Sequence, residues 1–279
     1  MRREDFQFLA ELLKRKSGLS LTRDRAALIL SRLKPVAERH GFADVDRLIA
    51  ELRHGDESLS RAVVEAMTIQ DTSFFRDGAV FDAFRDVLLP SLRESRLAKR
   101  RISVWSAACA TGQEPYSIAM MFAGLPQFED WQIDILASDV SADAIARAKE
   151  GLYTEAEMQR GLPAQMLADH FQAEGERLRL RDDIRRRVQF RVLNLLDSLA
   201  MLGRFDVIFC RNVLIYFDSA TKADILDRLS GLLAEDGYLV LGLAETTLGL
   251  SNGFAPVHHL RGVTRKTGHA QMSRVMAIG

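Results

Sequence analysis

The residues able to do chemistry gather in four stretches, the richest being Trp105-Ser-Ala-Ala-Cys-Ala-Thr-Gly-Gln-Glu-Pro-Tyr-Ser117. There a run of small residues ends an apolar segment, crosses one glycine and opens a helical pattern whose first turn carries Glu114. Strand, tight turn and helix N-terminus together make a socket for a nucleotide-like ligand, because only small side chains let a ligand come up to the backbone. Asp139 ends the next apolar segment, 27 positions after Gly112, where a carboxylate can accept both hydroxyls of a ribose. The Gly-x-Gly-x-x-Gly spacing that clears room for a pyrophosphate is missing, since Ala107, Ala108, Cys109 and Ala110 stand there. The pattern disfavours NAD and favours S-adenosyl-L-methionine, which has adenosine but no phosphate.

The remaining candidates each have a plainer reading beside the chemical one. Glu114 could bind a cofactor ammonium group or simply compensate the helix dipole. Ser138-Asp-Val-Ser141 also matches an ordinary helix N-cap. Asn194-Leu-Leu-Asp197 could frame an adenine edge with amide and backbone groups, or could merely start a loop. A buried strand runs into Arg211, Asn212 and Tyr216, polar groups at the sheet edge where a transferred methyl group and its acceptor would meet. Tyr216 equally fits a half-buried core aromatic, and Asn212 a turn former. Thr68-Ile-Gln-Asp-Thr-Ser-Phe-Phe-Arg-Asp77 concentrates Gln70, Thr72, Arg76 and two aromatics at a junction between two kinds of sequence, where Arg76 could also be a surface charge.

These residues need elements to hold them. From Arg3 to about Met67 apolar residues recur at helical spacing, which predicts three or four short helices separated by Gly18, Gly41 and Gly55. A connecting helix follows over Ala79 to Arg96, with Pro90 expected to kink or split it. From about Lys99 strands alternate with helices: strands Ile102 to Ala107, Ile133 to Ser138, Val188 to Val192, Phe205 to Cys210 and Tyr238 to Gly242, and helices near Glu114 to Ala123, Ala142 to Glu150 and Ser219 to Leu233. Such alternation implies a parallel sheet wrapped by helices, with ligands at the carboxyl ends of its strands. The expected class is α/β: a small all-α domain at 1–78, a linker at 79–98, and a Rossmann-like domain at 99–279 with a small β-containing insertion at about 151–187.

The totals bound the function. With 279 residues and 47% hydrophobic content the chain can build a real core, and its two cysteines lack histidines at ligand spacing, which disfavours disulfides and zinc. Lys+Arg and Asp+Glu are both 38, so nothing global pulls the chain toward nucleic acid. No apolar run approaches the ~18 residues of a membrane span, which fits a cytoplasmic protein without membrane insertion. His40, His54, His170, His258, His259 and His269 are scattered and form no acid-base constellation.

Together, Thr72 to Arg76, Trp105 to Ser117 and Arg211 to Phe217 resemble three strings of the CheR family of chemotaxis-receptor methyltransferases, in the same order and across most of the chain. The resemblance implies methyl transfer from S-adenosylmethionine to glutamate carboxylates of receptor cytoplasmic helices, leaving S-adenosylhomocysteine. It further implies cofactor contacts at Gln70, Thr72, Arg76, Glu114, Asp139, Asn194, Leu195, Arg211 and Asn212, with Arg76 and Tyr216 nearest the methyl group. The family usually has Asn where this chain has Gln70. A glutamate acceptor, with a reference pKa near ~4.3, is already ionised at neutral pH, so no general base is required. Family members that dock on a receptor-tail peptide carry a longer, glycine-rich turn in the insertion, whereas Phe171 to Leu180 holds a short one, which implies independence of that peptide. The alternatives are another methyl acceptor, or a signalling module that binds S-adenosylmethionine without turnover. Arg23, Arg25, Arg32, Lys34, Arg39, Arg47 and Arg53 give the N-terminal helices a local basic excess that could face an acidic receptor bundle or simply be solvated.

Overall fold

The computed structural model describes residues 1–268, so His269 lies outside the described residues. Apolar residues at helical spacing give α1 (Arg3–Ser17), α2 (Ala26–Arg39), α3 (Val45–Leu52) and α4 (Glu57–Met67). The Asp44 and Asp56 carboxylates start the last two by accepting the N–H groups of Arg47 and Leu59 at 2.8 and 2.9 Å. The four helices close on their own core of Leu9, Leu13, Ile29, Leu33, Leu48 and Ile49.

The connecting segment is interrupted by a π turn just before Pro90, which stands in the first turn of the helix that follows. It runs as α5 (Gly78–Ala83), a π turn at Phe84–Leu88 and α6 (Leu89–Ser95). The Leu89 N–H reaches back to the Phe84 carbonyl, so the turn widens just where the proline ring would crowd a preceding carbonyl. Val80, Phe84, Leu88 and Leu92 from this stretch share one apolar cluster with the central sheet.

The sheet strands are β1 (Arg101–Ala107), β2 (Gln132–Asp139), β6 (Val188–Val192), β7 (Phe205–Cys210) and β8 (Leu233–Leu241), all parallel, extended by antiparallel β9 (Phe254–Pro256) and β10 (Val263–Lys266) in the order β6-β2-β1-β7-β8-β10-β9. The helices between them include α7 (Gln113–Ala123), α8 (Ala142–Glu150) and α12 (Ser219–Leu232). The short antiparallel edge went unforeseen, because three- and four-residue strands are too brief to display an alternation. From β1 the chain moves one way to β2 and β6, then returns to the other side for β7 and β8. The direction reverses between β1 and β7, where Ala107 pairs with Cys210, and a ligand crevice belongs at the carboxyl ends there.

Between α8 and β6 the insertion holds β3 (Leu152–Thr154), α9 (Glu155–Gln159), α10 (Ala164–His170), β4 (Phe171–Glu174), β5 (Arg177–Leu180) and α11 (Asp182–Arg185). Its strands form a separate sheet in the order β3-β5-β4, and Glu174 pairs with Arg177 across a two-residue turn at Gly175-Glu176. Gly175, at φ +60°, supplies the positive dihedral that so tight a hairpin requires. The insertion packs on Phe74, whose ring meets Tyr153 and Phe171 edge-on at 5.0 and 5.6 Å.

One ionic brace holds the amino edge of the sheet. The Asp206 carboxylate accepts the Ser103 N–H of β1 at 2.8 Å and the Arg96 guanidinium at 2.8 Å, and Arg96 also pairs with Asp236. Replacing Asp206 by Ala leaves a largely buried arginine and a strand N–H short of a partner. Asp206→Ala is expected to lower the unfolding free energy by about 3 kcal/mol, read from urea denaturation.

Candidate active site

Cofactor-sized space opens at the reversal between β1 and β7, and its floor is a strained loop. Ala108 and Ala110 sit at φ +57° and +48°, and Gly112 at +95°. For alanine that conformation costs about 1–2 kcal/mol per residue, so the loop must be held from outside. The Cys109 N–H donates to the Ser138 carbonyl at 2.9 Å, the Ala110 N–H to the Asp139 carboxylate at 2.9 Å, and the Tyr153 hydroxyl to the Thr111 carbonyl at 2.8 Å. Gly112 is required twice over, by its dihedral and because a Cβ there would lie 2.9 Å from the Ala148 methyl.

Asp139 is only 6% exposed, and its second oxygen accepts the Ser141 N–H at 3.0 Å. The N-cap of α8 is Ser141, whose hydroxyl accepts the Ala144 N–H, so helix capping does not account for Asp139. Burial raises the pKa of its carboxyl above the ordinary aspartate value, against the pull of the Ser141 and Ala110 N–H groups. A buried carboxylate with lone pairs to spare fits the paired hydroxyls of a ribose.

Glu114, in the first turn of α7, does more than answer the helix dipole. One of its oxygens accepts the Ser106 hydroxyl at 2.7 Å and the other accepts the Arg211 guanidinium at 2.9 Å. Arg211 in turn donates to the Arg76 carbonyl and the Asp77 carboxylate, both at 2.8 Å, and lies over the Phe81 ring. Its Nε is buried without a partner. The guanidinium therefore ties the Arg76–Asp77 segment to the end of β7 and the start of α7. With two carboxylates to one guanidinium, this cluster keeps one formal negative charge, which suits a cationic ligand.

The opposite wall comes from the residues that link the helical domain to the sheet. The Arg76 guanidinium donates to the Asp71 carbonyl at 2.7 Å, and the Asp71 carboxylate pairs with Arg160 of the insertion at 3.0 Å. The Gln70 amide donates to the Thr68 hydroxyl at 3.0 Å, while its Oε1 is buried with no partner. Asn194 is committed to the protein: its amide donates to the Lys16 carbonyl at 2.6 Å and accepts the Leu196 N–H at 3.0 Å, which leaves this loop's backbone for an adenine edge. Leu195 is buried and supplies apolar wall, and half-buried Tyr216 borders the same cleft as Thr72 and Asn212, the latter left-handed at φ +58°.

All ten residues named from the sequence, Gln70, Thr72, Arg76, Glu114, Asp139, Asn194, Leu195, Arg211, Asn212 and Tyr216, border one cleft of about 920 Å³ including its mouth. Ser17, Leu19 and Phe217 border it too and were missed. Phe217 closes the Arg211 to Phe217 string, while Ser17 and Leu19 flank Gly18, which ends α1 and must stay small because a Cβ there would lie 2.9 Å from the Phe217 ring. None of the described histidines lines the cleft, and among the described residues no His, Cys, Asp or Glu group is placed to hold a metal. The donor set fits an adenosyl ligand: a buried carboxylate for hydroxyls, a net-negative cluster for a cation, apolar wall between, and an orphaned Gln70 oxygen awaiting a donor.

Comparison with known proteins agrees with this geometry. Residues 70–262 match the family described as CheR methyltransferase, SAM binding domain, and residues 4–68 match CheR methyltransferase, all-alpha domain. Chemotaxis protein methyltransferase 1 of Pseudomonas aeruginosa is 38% identical over 267 residues, covering 93% of this chain and 96% of the relative. The chemotaxis protein methyltransferase of Vibrio parahaemolyticus is 35% identical over 268 residues, covering 94% and 96%.

The raised pKa of Asp139 has a signed consequence. Between the unfolded aspartate value of ~3.9 and the raised native value the folded protein holds the extra proton, so this group's contribution to stability falls as pH rises through that window. A ligand whose hydroxyls need the ionised form behaves oppositely and binds more weakly as pH falls into the window. S-adenosylhomocysteine affinity, measured by calorimetry from pH 7.5 downward, is expected to drop on acidification before ordinary aspartates titrate. Asp139→Asn should bind at least tenfold more weakly at pH 7 and lack that acid limb.

Proposed function

The chain belongs to the CheR methyltransferase family, and from that premise we propose that it methylates glutamate side-chain carboxylates of chemotaxis receptors, as a cytoplasmic enzyme. S-adenosylmethionine, when bound, supplies the methyl group on a positively charged sulfur. The observation that carries this reading is that the polar groups suited to an adenosyl ligand, Asp139 and Glu114, share one cleft with Arg76 and Tyr216, both half-buried.

The roles of the chain's residues follow from their surroundings. Asp139 would accept the ribose hydroxyls, and Glu114, held in place by Ser106 and Arg211, would face the cationic part of the cofactor. Because the acceptor carboxylate is ionised at neutral pH, no residue has to remove a proton. Arg76 and Tyr216 would align the acceptor and shape the methyl pocket, and alignment of this kind can supply up to ~7–11 kcal/mol relative to a free encounter. Arg76 is restrained by Asp71, which keeps it from over-binding the acceptor and blunting its reactivity.

The acceptor would approach along the helical domain. Arg32 is not free for it, since its guanidinium donates to the Met67 and Thr68 carbonyls at 3.0 and 3.1 Å and so closes the end of α4. Exposed Arg23, Arg25, Arg39 and Arg47 remain to attract acidic receptor helices. The receptor-tail peptide is proposed to be dispensable, a reading supported by the two-residue turn between β4 and β5.

Incubation with labelled S-adenosylmethionine and receptor cytoplasmic fragments is expected to give label that alkali releases as methanol; alkali-stable label would overturn the esterification. Adding the receptor-tail peptide should leave the rate unchanged. Reversing the charge of both Arg25 and Arg39 is expected to slow receptor methylation severalfold at low salt and to leave S-adenosylhomocysteine affinity unchanged. Equal rates for the variant and the parent would remove the docking role.

A further inference from the structure

Glu245 follows β8 and does not border the cleft, yet its carboxylate gathers four backbone N–H groups. Oε2 accepts from Asn212 at 2.8 Å and from Gly242 at 2.7 Å, and Oε1 accepts from Val213 at 3.0 Å and from Ile215 at 3.3 Å. The turn so gathered is the one that leaves β7 and ends in Tyr216. At the carboxyl end of a sheet these donors have no ladder to join, so each needs another acceptor. Charge-assisted bonds from one carboxylate fix them more firmly than neutral partners would.

The fit around the carboxylate is close. A Cβ on Gly242 would lie 2.8 Å from Glu245 Oε2 and 2.8 Å from Asn212 Nδ2, so the glycine is what lets acid and turn meet. The backbone of Tyr216 is held on two further sides, its N–H donating to the Val213 carbonyl at 3.1 Å and its carbonyl accepting the Ser20 N–H at 3.0 Å. Glu245 is therefore the part of the support that reaches residues 212–215 from the carboxyl end of the neighbouring strand β8.

Resting on the methyl-transfer reading above, we propose that Glu245 is a positioning residue: it sets the 212–216 turn and, through it, the place of Tyr216 at the acceptor mouth. It touches neither cofactor nor acceptor. Its loss would let the turn relax while Asp139, Glu114 and the anchored Arg211 keep the cofactor side intact, so turnover should suffer more than cofactor binding. A misplacement of about 1 Å at a reacting site can cost about 10²-fold.

The test compares the parent, Glu245→Gln, Tyr216→Ala and the double variant. Expected are a ten- to hundredfold fall in kcat for Glu245→Gln, a smaller rise in S-adenosylhomocysteine Kd because Asn212 of the same turn borders the cleft, and faster amide exchange at Asn212, Val213, Ile215 and Gly242. In the Tyr216→Ala background the same Glu245→Gln change should cost less than threefold more, because the residue it acts through is already gone. Gly242→Ala, which crowds the carboxylate without removing it, should reproduce the kcat loss and serves if Glu245→Gln does not fold. An unchanged kcat, or a loss of equal size in both backgrounds, overturns the positioning role. If the parent binds S-adenosylhomocysteine but methylates no receptor fragment, the proposed function falls and this role with it, a failure read in the parent and not in the variants.

Discussion

The site depends on one buried guanidinium. Arg211 joins three parts of the chain that are distant in sequence: the end of β7, Glu114 at the start of α7, and the Arg76–Asp77 segment beside the helical domain. A buried cation is costly unless it is paired, and here two carboxylates and a carbonyl answer the two terminal nitrogens of the guanidinium. That demand fixes where Arg76 leaves the linker, and so where one side of the acceptor mouth stands. It also orients Glu114, which could otherwise turn toward solvent from the first turn of its helix.

Around this anchor the chain accepts local strain. Phe75, Asp77, Ala108, Ala110 and Asn212 all have positive φ, and all lie in the segments that wall the cleft. Alanine and phenylalanine gain nothing from that conformation by themselves, and they keep it because the N–H groups it exposes are taken up, by Asp139 for Ala110 and by the Ser117 hydroxyl for Phe75. The helical domain contributes to the same frame. Gly18 and Lys16 at the end of α1 reach Phe217 and Asn194, so this domain helps to wall the cleft.

Much of this was legible in the residues. Small side chains from Ala107 to Ala110 and a single Gly112 told of a close approach and of no phosphate, because bulk near a backbone is a local property of sequence. Parallel strands showed themselves as short apolar-rich segments alternating with helical patterns, and Asp139 stood where one of them ends. Pro90 told of an interruption but not of its form, a turn widened just before the ring, with Phe84 and Leu88 packed on the sheet. Arg32 misled: its charge was visible, while its commitment to the Met67 and Thr68 carbonyls depended on how α2 and α4 cross.

What the sequence determined alone was the order of elements, the small-residue socket and the residue types able to meet an adenosyl ligand, because these follow from periodicity, side-chain volume and charge along the chain. Only the tertiary structure decided which polar groups are free to act and which are already spent. Asn194 holds Lys16, Arg211 holds Glu114 and Asp77, Glu245 holds the 212–216 turn, and in the cleft the Gln70 oxygen and the Arg211 Nε are left buried and unanswered. Each hydrogen bond joins groups tens to hundreds of positions apart, and a partner at that range exists only once the core has brought the two together.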